Sequence, residues 1–97
     1  MKLKLSEARV VFDELRKDKK IIVRRHAHKD YPDRQFTENE IKYLVAGQGH
    51  LIDNNFPSAI EDSFLFVCKD LKERRVELAV LLEDNVIVVS AFRRVQS

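Results

Sequence analysis

The chain of 97 residues contains one cysteine, one methionine, two glycines and two prolines. With Cys68 alone, no internal disulfide can form, and a reducing cytosol is the simplest setting. So few glycines and prolines leave little room for a long flexible linker. No apolar run exceeds five residues, as in Leu78 to Leu82, whereas a membrane-spanning helix needs about 20. The opening Met1-Lys2-Leu3-Lys4-Leu5-Ser6-Glu7 lacks the apolar core of a signal peptide. A cytoplasmic protein with no membrane partner is therefore expected. Also missing are a phosphate-cradling glycine loop, a Ser-His-Asp set and a pair of carboxylates at a telling spacing. The expectation is a protein without a cofactor.

What is present describes one soluble domain, 44% hydrophobic and 35% charged, with enough chain for a single core. Net charge is only +2, but it is unevenly spread. Residues 16–34 carry eight basic side chains (Arg16, Lys17, Lys19, Lys20, Arg24, Arg25, Lys29, Arg34) against three acids, a local +5, which leaves −3 for the rest. Such a split suits a polyanion or an acidic protein, and equally a solvated charged face.

Apolar spacing predicts a first helix capped by Ser6, with Ala8, Val11, Phe12 and Leu15 along its buried stripe. Ile21 to His28 reads as a strand that begins apolar and ends basic, and 29–36 as a loop. Thr37-Glu38-Asn39-Glu40 is a capping box, opening a helix that buries Ile41, Leu44 and Val45 and stops at Gly47. Phe36 reads as the hydrophobic staple of that helix. His50 to Phe56 is a short edge strand, open to a second copy or a partner's strand, or equally covered by the first helix. Asp62 to Leu71, Arg75 to Leu82 and Val86 to Val95 complete a meander, with Val76, Leu78, Val80 and Leu82 alternating on one face. Lys72-Glu73-Arg74 reads as a charged turn, and Asp84-Asn85 as a tight hairpin because both residues tolerate positive φ. The fold class is α+β: a mostly antiparallel, curved sheet of about five strands with two helices on one face.

Two basic clusters stand at strand ends: Arg24-Arg25-His26-Ala27-His28, followed by Arg34, and Ala91-Phe92-Arg93-Arg94. If those strands are neighbours, imidazole and guanidinium groups can meet in one patch. Cleavage of RNA without a metal needs a base for the 2′-hydroxyl, an acid for the leaving oxygen and cations over the developing charge. On one strand face, His26 and His28 supply the first two, and Arg24 or Arg93 the third. Alternation places Arg93 with Ile87, Val89 and Ala91. Arg24, Arg25, His28 and Arg94 fit phosphate contacts. Histidines on a strand are otherwise polar residues of a solvated face. His26-x-His28 is also a metal pair, with His50 or Asp30 as a third ligand, but tighter His/Cys sets mark zinc sites, and no metal is assigned. Cys68 reads as a small buried hydrophobe.

The quoted segments His26-Ala27, Arg34, Thr37-Glu38-Asn39-Glu40-Ile41 and Ala91-Phe92-Arg93 resemble the bacterial family called domain of unknown function 4258, over residues 20–95. Its pattern is a strand ending in His-Ala, a later Arg, a Ser/Thr-capped helix and a last strand closing on an aromatic-Arg step. Gln35-Phe36 departs from it, where family members carry an Arg and a Gly before the helix. The resemblance implies membership of a larger group of RelE/ParE- and BrnT-like toxins, with helices on a curved antiparallel sheet. Many of these are ribonucleases neutralised by an antitoxin, while ParE-like relatives bind a protein and cleave nothing. It implies His26, Arg34 and Arg93 as the catalytic positions and RNA and an acidic antitoxin as partners, while the strand edge at His50 to Phe56 makes a homodimer a further expectation. A non-catalytic protein-interaction module is the alternative.

Overall fold

The computed structural model describes residues 3–25, 36–55 and 61–93, the last of these through its backbone. Its elements run α1 (Leu5–Lys17), β1 (Ile21–Val23), α2 (Glu38–Ala46), β2 (Gly49–Asp53), β3 (Phe64–Lys69), β4 (Arg75–Leu82) and β5 (Val86–Arg93). The five strands form one sheet in the order β1-β5-β4-β3-β2. β2 to β5 make an antiparallel meander, and β1 joins β5 in parallel, with Ile21 opposite Val86 and Val23 opposite Val88. This is the expected α+β architecture, with both helices packed on one face of the sheet.

Each helix follows from its local sequence, with one exception. α2 begins where Thr37 Oγ1 accepts the Glu40 backbone N–H at 3.0 Å, which satisfies one of the orphan donors of the first turn. Phe36 and Ile41 are both buried in the main core, as a hydrophobic staple requires. At its other end Gly47 is extended rather than left-handed, so that glycine ends the helix without the usual left-handed cap. The exception is α1. Its N-cap is Lys4 without a side-chain bond, and Ser6 sits inside the first turn. Leu3 and Leu5 pack against the core; burying both sets the helix start earlier than hydroxyl capping would.

The main core lies between helices and sheet: Ala8 and Phe12 of α1 and Ile41, Leu44 and Val45 of α2 meet Phe64, Phe66, Leu78, Val80, Val86 and Val88. Val76, Leu78, Val80 and Leu82 do share this face. The other face carries a smaller cluster, Leu65, Ala79, Ile87 and Val89, with Ile52, Leu81 and Phe92 against it. In β5 simple alternation fails. Ala79 pairs with Ser90 but Val80 with Val88, leaving Val89 as the extra residue of a bulge. A bulge shifts the period-two pattern by one. Ala91 therefore joins Val86 and Val88 under the helices, while Ile87, Val89 and Phe92 share the outer face, correcting the expected grouping of Ala91 with Ile87 and Val89.

Two turns also differ from expectation. The β4–β5 connection pairs Leu82 with Val86, a three-residue link in which neither Asp84 nor Asn85 has positive φ. The β3–β4 turn is organised by Asp70, a residue outside the expected Lys72-Glu73-Arg74. Its Oδ1 accepts the backbone N–H groups of Lys72 and Arg74, both at 2.9 Å, and its Oδ2 accepts Arg74 Nε at 2.9 Å. This network holds Glu73 at φ 63°, a conformation that a non-glycine residue adopts at a cost. Asp70→Ala is expected to destabilise the domain by about 1–3 kcal/mol, because buried donors lose their acceptor. Urea denaturation checks this, with Lys72→Ala, which keeps the network, as the neutral control.

Candidate functional site

The adjacency of β1 and β5 is as the basic clusters require. Val23 lies opposite Val88, and Arg24 donates its backbone N–H to the Val88 carbonyl at 2.9 Å. Arg93 is five residues farther along β5, on the order of 16 Å at about 3.3 Å per residue. β1 is also shorter than expected. It ends at Val23, and Arg25 is already helical, so strand alternation does not relate Arg24 to the histidines that follow. Both arginines are exposed; strand and ladder end where side chains can no longer be buried under α2. His26, His28, Arg34 and Arg94 lie outside the described residues, and of Arg93 only the backbone is described.

Position 93 stands opposite Val76 of β4, next to the level at which Arg75 faces Lys69 of β3. Three neighbouring strands thus bring a cation to one end of the sheet. The same end borders an open groove of about 1040 Å³ between the α2–β2 link and the β3–β4 turn, lined by Tyr43, His50, Lys69, Leu71 and Arg75 among others. Tyr43 and Leu71 are exposed there, and so is His50.

The most informative side chain at this end is Glu77, whose carboxylate is only 6% exposed and accepts Arg75 Nε at 3.0 Å. Sequence reasoning passed over it, although a signal was available: it is the one acid in Arg75–Leu82, a strand otherwise apolar after its first residue. Buried carboxylates are seldom found without a partner.

Other charges of the basic stretch are committed elsewhere. Arg16 Nη1 donates to the carbonyls of Val45 and Gly47, at 3.2 and 2.7 Å, and Nη2 pairs with Asp13 at 2.7 Å. Its guanidinium lies 5.0 Å from the Phe12 ring centre and 5.6 Å from that of Phe66. Arg16 thus ties the end of α2 to α1 and leaves the basic patch. Of the two expectations for the β2 edge, cover by the first helix is the one met. α1 packs beside it, and Arg9 Nε donates to the Leu51 carbonyl at 3.1 Å.

Cys68 is buried, and its thiol is pushed up to about 11, first by burial and then by the nearby Asp70 carboxylate. A thiol that ionises near 9 when unfolded and near 11 when folded disfavours the native state as pH rises through that interval. Stability should accordingly fall between pH 9 and 11, relative to a Cys68→Ser variant. At pH 7 the folded protein should resist iodoacetamide and react only in denaturant, as the thiolate is the nucleophile; rapid native labelling would contradict this placement.

Among the described residues no group of three or more His, Cys, Asp or Glu is arranged to hold a metal ion, and no helix is long and apolar enough to cross a membrane. No family model, curated protein or solved structure matches the chain.

Proposed function

We propose that this chain is a small toxin-like domain that binds RNA at the end of its sheet and cleaves it without a metal. The observation that supports this most directly is the pairing of Lys69 with Arg75 at the end of two neighbouring strands, with position 93 opposite the adjacent Val76, a cationic rim suited to a phosphodiester backbone. The α+β architecture is of the kind that the family resemblance implied.

In the proposed reaction a base, His26 or a water it holds, takes the proton of a 2′-hydroxyl. The 2′-oxygen attacks the adjacent phosphorus, and the bond from phosphorus to the 5′-oxygen breaks as an acid returns a proton to it. The products are a 2′,3′-cyclic phosphate and a 5′-hydroxyl, and no water is consumed. Arg34 and Arg93 grip the phosphate and offset the charge that builds on its oxygens. Arg24, Arg25, His28 and Arg94 extend the contact along the strand. The protein works in the cytoplasm in this proposal, and an acidic antitoxin covers the basic rim.

The test is incubation of the purified protein with total RNA, with and without a chelator. Cyclic-phosphate ends formed equally in both are expected. Intact RNA at stoichiometric protein would overturn the catalytic proposal. It would favour the second reading, a non-catalytic protein-interaction module, which exposed Tyr43 and Leu71 beside one groove support.

A further inference from the structure

We infer that the outer face of the sheet, where β2, β3 and β4 carry His50, Lys69 and Arg75, is a phosphate-binding subsite. The placement follows from the register. Ile52, Leu65 and Ala79 mark the face turned away from the helices, and strand alternation puts His50, Lys69, Glu77 and Arg75 on that face. His50 lies opposite Val67, Val67 opposite Glu77, and Lys69 opposite Arg75.

Two cations directly across an antiparallel pair repel one another, so the Lys69–Arg75 pairing works against the fold unless an anion joins it. Two carboxylates of the protein, Glu73 and Glu77, already offset that repulsion. Lys69 has a loose ion pair with Glu73, at 3.8 Å, and both are largely exposed. Arg75 is held more firmly, since Glu77 binds its Nε from a buried position while the guanidinium itself stays half exposed. That bond fixes the plane of the fork and leaves both terminal nitrogens without a partner among the described residues. A guanidinium anchored through Nε presents two parallel N–H donors, the geometry that matches two phosphate oxygens. Lys69 adds a point charge beside it, and His50, exposed on the next strand, adds a hydrogen-bonding imidazole.

Other charges near the groove compete little for the ligand. Asp70 is occupied by Arg74 and the turn backbone, and Glu73 is free to swing away with its exposed side chain. Tyr43 lines the same groove and is exposed, so a base attached to the phosphate has a ring to stack on. The subsite rests on the RNA proposal for the carrier of the phosphate alone. It requires nothing of His26.

The experiment is an NMR titration of the full chain with inorganic phosphate, adenosine 5′-monophosphate and a single-stranded RNA oligonucleotide in turn. Saturable shifts of the His50, Lys69 and Arg75 amides are expected with all three, tightest with RNA. Arg75→Gln should weaken the binding about tenfold or more, the size of one charge-assisted hydrogen bond. Arg75→Lys should not restore it, since lysine lacks the fork. Glu77→Gln should weaken it too, and Arg75→Gln, at a half-exposed position, keeps the test sound if that variant fails to fold. Binding of phosphate without RNA would leave the subsite standing and remove the RNA proposal. RNA binding that moves none of these amides, or is indifferent to Arg75→Gln, would overturn the subsite and leave the RNA proposal intact. Absence of shifts with every ligand would overturn it outright.

Discussion

Phe66→Ala is expected to destabilise the domain by about 3–5 kcal/mol, a large part of the roughly 5–15 kcal/mol that holds a domain together. Several contacts converge on this ring, which is 1% exposed. Its centre lies 4.8 Å from that of Phe12, tilted by 35°, an aromatic pairing that adds to simple burial. Arg16 stands over it at 5.6 Å, and Leu51 and Leu78 flank it across the two neighbouring strands. A further contact is Gly49, where an added Cβ would come within 2.6 Å of the Phe66 ring and 2.5 Å of the Val67 carbonyl oxygen. Glycine is needed there because ring and backbone fill the space a side chain would take. Truncating the ring removes the floor beneath Arg16 as well as its own buried area. Urea denaturation measures the effect, with Phe92→Ala, on the outer face and only partly buried, as the smaller comparison. A loss below about 1.5 kcal/mol would mean that Phe12 and Leu78 close over the gap, contrary to a core packed this tightly.

The largest expected effect on activity belongs to His26→Gln, which should lower RNA cleavage by about 10²–10⁴-fold while leaving RNA binding within a few-fold of the parent. Glutamine keeps the polarity and hydrogen bonding of the side chain but cannot carry a proton between donor and acceptor at neutral pH. The loss should therefore appear in kcat and leave KM little changed. Arg93→Ala removes a phosphate contact in the proposed scheme, so it should move both constants. Circular dichroism and melting temperature should match the parent in each case. Cleavage by His26→Gln at the parent rate would end the acid-base role of this histidine. Equal loss of binding and cleavage would make it a contact residue instead.

Much of the fold could be read in the chain, for reasons that can be named. β4 occupies the residues that strict alternation from Arg75 to Leu82 marked out, and α2 starts at the Thr37 capping box and ends before Gly47. Both depend on local chemistry alone. The features that escaped notice depend on partners distant in the chain. Val89 becomes a bulge only against Ala79 and Val80, and nothing in Val86 to Arg93 itself declares the shift. Arg16 looks like one more cation in a basic run until Phe12, Phe66, Val45 and Gly47 surround it. For the candidate site the balance is different. The neighbouring of β1 and β5 was legible, but the early end of β1 at Val23 was not, because Arg24 and Arg25 have no apolar alternation to mark it. Glu77 was visible as an acid inside a strand, yet only its burial beside Arg75 gives it meaning.

The parallel pairing of β1 with β5 also imposes an order of assembly. Ile21 finds its partner at Val86, sixty-five positions later, while β2, β3 and β4 each pair with the strand that follows them in the chain. Local hairpins form ahead of contacts that close long loops. During vectorial synthesis α1 and β1 emerge before the meander, but β1 cannot dock until residues 86–88 have left the ribosome. An early segment of the domain is thus among the last to settle. Until then its apolar Ile21, Ile22 and Val23 are open to chaperones, and a nascent chain that stalls before β5 has no native strand for them to join.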